Sequence, residues 1–356
     1  MQIRPWVVRA DGEQERRATM SEASSFQASK SQVGMSQTGI SQAGISQAGT
    51  ARATAFQTAI SQLTTSRWEL PHEVDRLREH GFDRLSLWRP KLSDVGARGA
   101  AAILAGAGVR ASSLQWAGGF TGGDGRSFCE CVVGAAVVVV HSGCRGGHTR
   151  AHARRLLVGA LETLAPAARS AGITLALRPL HAAVADRCSF LARPAEALDV
   201  VEQIDDPAVR LAIDLWQFGD HPDLLALLPR LAASTAVVQV ADRSGQPTAD
   251  LERRPAGRGG LPLERVALSL LDAGFGGVFE FDAVGDEVAT LGYDAVLAET
   301  RTLADGWQRA FADRQPSLRG AAASPAYASA WDDQRGQLRS AGSRRSHASS
   351  QTVSRG

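Results

Sequence analysis

Charged, polar and aromatic side chains close a series of short apolar segments in the middle of this 356-residue sequence. Glu280 and Asp282 stand two residues apart at the end of one segment, so both side chains face the same side if that segment is a strand. Two carboxylates this close need a proton, a metal ion or cationic partners in order to coexist. Other segments end in the same way, at Trp88, Trp116, His141, Arg178, His181, Asp214, Gln217, Gln239 and Asp242. Brought together, these ends would line a pocket for a small polar molecule.

A second candidate site is the glycine-rich loop that follows the apolar run 137–140. Arg145 and His148 lie in this loop, just before a predicted helix that begins near Thr149. Free backbone N–H groups at a helix N-terminus favour an anion, so the loop predicts contacts to a substrate phosphate or carboxylate. The loop has no Gly-Lys-Ser/Thr and is not a Walker motif. The alternative is that the glycines only permit a tight turn.

The elements that must position these residues alternate between short apolar strands and longer amphipathic helices. We predict strands at 56–63, 84–88, 109–115, 135–141, 173–178, 209–214, 236–240 and 278–282, and helices at 71–80, 93–107, 149–171, 194–204, 222–233, 262–273 and 293–311. This order is typical of a parallel sheet with crossover helices. Eight strands in residues 55–314 predict a (β/α)₈ TIM barrel, whose active site lies at the carboxyl ends of the strands. The third crossover, 116–134, is too short for a full helix.

The two ends of the chain differ from this central region. Residues 1–54 contain Ser-Gln-x-Gly repeats with one modest apolar side chain per unit, and 315–356 are rich in Ser and Arg. Such composition predicts disordered tails, with a short β-solenoid as the alternative for the repeats. The tails carry the basic excess behind the net charge of +2. The central region has no basic footprint, which argues against nucleic-acid binding.

The composition also bears on where the protein works. The longest small-apolar run, 132–140, is far shorter than the roughly 20 residues of a transmembrane helix. No signal peptide is evident at the N-terminus. The four cysteines are too few for a disulfide scaffold and do not have zinc-pair spacing. These features predict a cytoplasmic protein with no membrane partner.

Five segments in order resemble one known family. They are 172–181 (GITLALRPLH), 211–217 (LAIDLWQ), 237–242 (VVQVAD), 253–259 (RRPAGRG) and 274–282 (GFGGVFEFD). Together they are similar to strands five to eight, and a following loop, of the sugar phosphate isomerase/epimerase family, the xylose isomerase-like TIM barrels. The resemblance covers roughly residues 55–307 and implies the same barrel that the alternation of elements predicts.

The resemblance also implies a divalent cation, Mn²⁺, Mg²⁺, Co²⁺ or Zn²⁺, held by Glu, Asp, His and Glu. The matching positions here are Arg178, Asp214, Gln239 and Asp282, of which only Asp214 is unchanged. Asp214, Gln239 and Asp282 are the candidate metal ligands. Arg178 has no lone pair to donate. Its guanidinium could instead take the place of the metal and pair with Asp214 and Asp282.

Two functions from different classes remain open. The resemblance implies a sugar or sugar-phosphate isomerase/epimerase that moves a proton next to a carbonyl. Its candidate catalytic residues are Glu280, Asp282 and Asp214, and its candidate substrate-binding residues are Trp116, His141, Arg145, His148, Arg178, His181 and Arg253. The alternative is a non-catalytic, metal-free relative that binds a small sugar or acid, or a protein partner.

Overall fold

The computed structural model describes residues 56–121, 135–185, 188–222, 224–248 and 252–314. The tails predicted at 1–54 and 315–356 lie outside these residues, as does most of the short third crossover. In the described part of the chain, no helix combines the length and the apolar character needed to cross a membrane.

Eight parallel strands form a closed barrel in which each strand pairs with its neighbours in sequence and β1 pairs with β8. They are β1 Gln57–Ser61, β2 Arg84–Trp88, β3 Arg110–Gly118, β4 Val137–His141, β5 Thr174–Leu177, β6 Val209–Asp214, β7 Thr235–Val240 and β8 Val278–Phe281. The predicted (β/α)₈ barrel is therefore confirmed, and each predicted strand overlaps an observed one.

Helices of very different length connect the strands in the described residues. They are α1 Leu70–Glu79, α2 Arg89–Leu92, α3 Gly96–Ala107, α4 Arg150–Ser170, α5 Ala182–Ala185, α6 Pro194–Ile204, α7 Leu215–Phe218, α8 Leu224–Ser234, α9 Leu263–Asp272, α10 Asp286–Leu291 and α11 Tyr293–Asp313. Thr149 caps α4 as predicted, because its side chain accepts a hydrogen bond of 3.2 Å from the backbone N–H of His152. The helix predicted to start at Ser93 begins three residues later, after the short α2.

Alternation along the strands separates two apolar clusters. In β4, Val138 and Val140 belong to the large cluster shared with the helices, such as Leu157 and Leu161 of α4. Val139 instead belongs to a small cluster of strand residues against which Trp116 packs. Because strand side chains alternate between faces, the large cluster lies outside the barrel and the small one fills its interior.

Strand β3 runs three residues beyond its predicted end and meets β4 at its carboxyl edge. Gly118 pairs in register with His141, after an irregularity between Leu114 and Ala117. A Cβ atom on Gly118 would lie 2.0 Å from the carbonyl oxygen of His141, and the φ of Gly118 is +132°. Only glycine fits this close approach. The pairing places His141 at the barrel mouth, although residues 122–134 of the crossover lie outside the described part.

Candidate functional site at the barrel mouth

The inward face of the barrel collects the polar residues that close strands β4 to β8. Val139, Ala176, Ala212 and Val237 belong to the interior cluster. Two positions further along each strand, on the same face, stand His141, Arg178, Asp214 and Gln239. Glu280 and Asp282 follow the same rule in β8, where Phe279 and Phe281 pack outward. All six polar side chains are buried. Six of the side chains predicted to lie at strand ends therefore form one group in the structure, called here the mouth cluster.

Asp214 is the most heavily hydrogen-bonded member of the mouth cluster. Its carboxylate accepts from Arg178, from the two terminal nitrogens of Arg253 at 2.9 and 3.1 Å, and from Gln217 Nε2 at 2.7 Å. The backbone N–H of Trp216 adds a bond of 3.0 Å. Burial works to raise the pKa of Asp214, but Arg253 and Arg178 outweigh it and hold the pKa well below its ordinary value. Asp214 is therefore ionised, and both of its oxygens are occupied.

Arg253 connects Asp214 with Asp282. One terminal nitrogen of its guanidinium lies 2.8 Å from each carboxylate oxygen of Asp282, and its Nε donates to the Asp282 carbonyl at 3.2 Å. The backbone of Arg253 pairs with Val284 through two hydrogen bonds of 2.8 Å. The guanidinium stacks over the Trp216 ring, 4.9 Å from its centroid. Backbone pairing and stacking together fix the fork between the two carboxylates.

Glu280 is stabilised differently from its neighbour Asp282. Its Oε1 accepts a hydrogen bond of 2.6 Å from Ser112, and Gln115 lies 3.5 Å from Oε2. Burial raises the pKa of Glu280, and the hydroxyl donors, Ser112 first, offset this only in part. Burial also raises the pKa of Asp282, against the opposing charge of Arg253. The two close carboxyl groups therefore coexist because Arg253 pairs with Asp282 and because both groups hold a proton to higher pH than ordinary carboxyls do.

Several buried polar atoms of the mouth cluster, and one of Gln115 beside Glu280, have no hydrogen-bond partner among the described residues. They are both ring nitrogens of His141, both amide atoms of Gln239, Nε of Arg178 and Oε1 of Gln115. Burial and then the charge of Arg178 lower the pKa of His141 well below its ordinary value, so its imidazole is neutral. The Trp116 ring lies beside it, with centroids 5.6 Å apart. The barrel mouth thus holds donors and acceptors without partners in the described residues, and an aromatic ring beside His141.

The predicted anion loop does not join the mouth cluster. Arg145 is exposed, and the half-buried His148 ring packs against His152 with centroids 4.8 Å apart. Arg150, which follows in α4, forms an ion pair of 2.7 Å with Glu196 of α6. These contacts place the side chains of Arg145 and Arg150 on the surface of the barrel. A role of Arg145 and His148 in substrate binding stays a prediction.

His181 lies one contact away from the mouth cluster. It is half-buried, and its backbone N–H donates to Gln217 Oε1 at 2.6 Å. The amide nitrogen of the same Gln217 donates to Asp214. The loop after β5 is therefore tied to the cluster through the backbone of His181.

Sequence reasoning missed a second buried polar network, beside the ends of β1 and β2. Lys91 Nζ donates to Glu73 Oε2 at 2.9 Å and to the Thr65 carbonyl at 3.1 Å. Gln62 Nε2 donates to the same Glu73 oxygen at 2.8 Å, and Thr65 Oγ1 bonds to the other one. Burial raises the pKa of Glu73 and lowers that of Lys91, each opposed by the partner's charge. The sequence contained an indication of this network, because Glu73 falls on the buried stripe of α1 with Leu70, Val74 and Leu77.

The residues at the four ligand positions implied by the resemblance do not fit a divalent cation. Arg178 offers only donor nitrogens and bonds to Asp214. The oxygens of Asp214 and Asp282 face the guanidinium of Arg253. Gln239 supplies one neutral carbonyl oxygen. Within the described ranges, no three His, Cys, Asp or Glu side chains are grouped to hold a metal. Two carboxylates that are already neutralised and one amide make a poor donor set for a hard cation.

Comparisons with known proteins agree with the fold. Residues 131–310 match the model of the xylose isomerase-like TIM barrel family. Similar solved structures include protein SMc04130 from Sinorhizobium meliloti 1021, with TM-score 0.60, 24% identity, and coverage of 70% of this chain and 98% of that one. The IOLI protein with a binding zinc atom has TM-score 0.59 and 19% identity, with coverage of 70% of this chain and 97% of that one. An L-ribulose 3-epimerase has TM-score 0.60 and 17% identity, with coverage of 76% of this chain and 100% of that one. A search of the curated proteins finds no significant match.

These structural likenesses show the fold, and the family model shows the family. The match covers half of the chain and includes strands β4 to β8, which supply most of the mouth cluster. It also confirms the resemblance seen in the five sequence segments. The chain belongs to the xylose isomerase-like TIM barrel family.

Proposed function

We propose that the mouth cluster binds a small polyhydroxylated carbonyl compound, a sugar, and moves a proton next to its carbonyl group. The observation that carries the proposal is the set of buried polar atoms on His141, Gln239, Arg178 and Gln115 that have no partner in the described part of the chain. Buried polar groups in folded proteins are nearly always hydrogen-bonded. The neutral donors and acceptors of His141, Gln239 and Gln115 suit hydroxyl groups, and the Trp116 ring beside His141 suits a sugar face.

The charge balance of the mouth cluster favours an uncharged sugar over a sugar phosphate. Arg178 and Arg253 supply two positive charges, and Asp214 and Asp282 accept them. A phosphate buried there would find both guanidinium groups already paired, and burying an unpaired charge costs several kcal/mol. The phosphate of a larger substrate would have to lie at the rim of the barrel.

Glu280 is the carboxyl best placed to transfer the proton. Asp214 and Asp282 were also predicted to be catalytic, but their bonds to guanidinium groups favour a positioning role. The raised pKa of Glu280 suits a group that both takes and returns a proton. In the ionised form it would take the proton of the carbon next to the carbonyl. The C–H electron pair then forms the C=C bond of an enediol, and the carbonyl oxygen gains charge that neutral His141 can stabilise by hydrogen bonding.

Return of the proton completes the reaction. Delivery to the former carbonyl carbon, with the hydroxyl proton moving to the former carbonyl oxygen, gives an isomer. An epimer would need a second proton donor on the opposite face of the original carbon, while Glu280 keeps the proton that it took. Structural neighbours include an L-ribulose 3-epimerase and a D-psicose 3-epimerase, and their reactions support this class for the present chain.

A second candidate, a non-catalytic sugar-binding barrel, is favoured by one observation. Two of the three predicted catalytic carboxylates hold arginine side chains, which leaves Glu280 as the one acid of the three without an arginine partner in the described residues. Binding without proton transfer would need only the neutral donors and acceptors of the mouth cluster.

Isotope exchange and calorimetry distinguish these candidates. A panel of ketoses, aldoses and their phosphates is titrated into the purified protein, and each compound that binds is incubated in D₂O. Deuterium at the carbon next to the carbonyl, read by NMR, supports the enzyme, whereas binding without deuterium supports the binding barrel. Gln239→Leu should weaken binding about tenfold, the equivalent of one net hydrogen bond. The control Gln203→Leu, on the exposed face of α6, should not. Absence of binding by the whole panel would refute the proposal.

A further inference from the structure

The acids of the mouth cluster are neutralised by side chains of this chain. Asp214 and Asp282 stand at two of the positions that the resemblance assigns to metal ligands. Both are almost fully buried. Between them lies the Arg253 guanidinium, with one terminal nitrogen 2.9 Å from Asp214 Oδ1 and 2.8 Å from both oxygens of Asp282. This nitrogen bridges two carboxylates in the way a bound cation would.

Arg253 is held in this place by its own backbone and by an aromatic ring. The chain around it pairs on both sides, through Asp242 with Arg254 and through Arg253 with Val284. Trp216 Nε1 donates to the carbonyl of Glu252, the preceding residue, at 2.9 Å. The guanidinium is therefore a prearranged group with little conformational entropy left to lose.

Arg178 supplies the second positive charge that faces these acids. It bonds to Asp214 from the neighbouring strand end, at the position where the resemblance implies a glutamate. Two arginines bring two positive charges, the same charge as one divalent cation, to face two carboxylates. The sequence predicts that Arg178 pairs with both acids, but in the structure Asp282 pairs with Arg253 instead.

We propose that Arg253, assisted by Arg178, is a permanent internal cation that replaces the divalent metal of this family, so that the protein works without one. The proposal builds on the proposed function, because it states what balances the acids around the bound sugar. A metal ion can then bind only if Arg253 is removed, and a ligand restored at position 178 is not sufficient by itself.

Mn²⁺ binding tests the proposal without any measurement of activity. Free Mn²⁺ is counted by its EPR signal in titrations up to about 1 mM, and the melting temperature is followed with Mn²⁺ or EDTA. The wild-type protein should bind no stoichiometric Mn²⁺ and should melt at the same temperature in EDTA. Stoichiometric binding that EDTA reverses would overturn the proposal. This measurement uses the wild-type protein, so it tests the proposal even if every variant fails to fold.

Two variants and a control locate the effect. Arg178→Glu combined with Arg253→Met restores three carboxylates and should bind Mn²⁺ at least about 100-fold more tightly than the wild type, the size of effect that supporting groups have on metal sites. Mn²⁺ should also raise its melting temperature. Arg178→Glu alone should bind no better than the wild type, because Arg253 still occupies both acids. Arg254→Met, which removes the neighbouring arginine, is the control and should behave like the wild type.

Failure of the metal inference can be distinguished from failure of the proposed sugar binding. Sugar binding is measured in EDTA, so its failure would leave the metal result standing. A folded double variant that binds Mn²⁺ no better than the wild type would overturn the metal inference and leave sugar binding untouched.

Discussion

Replacing Arg253 by Met should destabilise the protein more than any other single arginine change in the described barrel. The substitution keeps an apolar stem against Trp216 but removes four contacts to carboxylate oxygens, two on Asp214 and two on Asp282. Asp214 retains Arg178 and Gln217. Asp282 loses the side-chain donors that the described structure provides. Removal of one partner of a buried ion pair typically costs about 3–5 kcal/mol.

The loss should grow with pH, which separates it from a simple packing defect. Burial already raises the pKa of Asp282 in the folded protein, and Arg253 opposes this rise. Without Arg253 the folded pKa moves further above the unfolded pKa, because the protein then accommodates this buried carboxyl best in its protonated form. Stability is then greatest at low pH and falls as pH rises between the two values, by up to about 1.4 kcal/mol per pH unit.

Urea unfolding followed by circular dichroism, at about pH 5 and about pH 8, measures this effect. Adding Asp282→Asn to Arg253→Met should recover much of the loss at pH 8, because no charge is then left buried. Arg254→Met is the matched control: Arg254 lies next in sequence, but its ion pair with Glu287 is solvated and such pairs contribute little. A deficit for Arg253→Met that matches the control, or one that does not change with pH, would refute the reasoning.

Three further predictions concern the groups around the mouth. His141→Gln should flatten the loss of stability below about pH 6.5, where the wild type loses up to about 1.4 kcal/mol per pH unit, because the folded pKa of His141 lies below its unfolded value; an unchanged slope in urea titrations across pH would contradict this. Glu280→Gln should abolish deuterium incorporation into a bound sugar while calorimetry still detects binding, and exchange at the wild-type rate would exclude Glu280 as the proton-transferring group. Lys91→Met should cost about 3–5 kcal/mol in thermal or urea unfolding, since Glu73 stays buried without its cation; if adding Glu73→Gln recovers none of this, the ion pair is not the cause.

The local pattern of the sequence was sufficient for the fold. Apolar runs of strand length alternate with amphipathic helices, which predicts a parallel sheet, and eight such strands within about 260 residues predict that the sheet closes into a barrel. The period of two along each strand also placed His141, Asp214 and Gln239 on one face, because side-chain direction in a strand is a local property. The mouth cluster could therefore be predicted from residue spacing before any long-range contact was known.

The partners of those residues could not be predicted in the same way. Arg178 was expected to bridge both acids, yet the bridge is Arg253. Its backbone pairs with Val284, in the loop that follows the neighbouring strand β8, and this pairing brings its guanidinium to Asp282. Likewise, the choice of Glu73 as the partner of Lys91 depends on how α1 packs beside the ends of two strands. Hydrogen bonds and ion pairs act over a few ångströms, and which groups come that close is decided by the packing of distant segments. The sequence thus determined which residues face the mouth, and the tertiary structure alone decided which charges neutralise one another there.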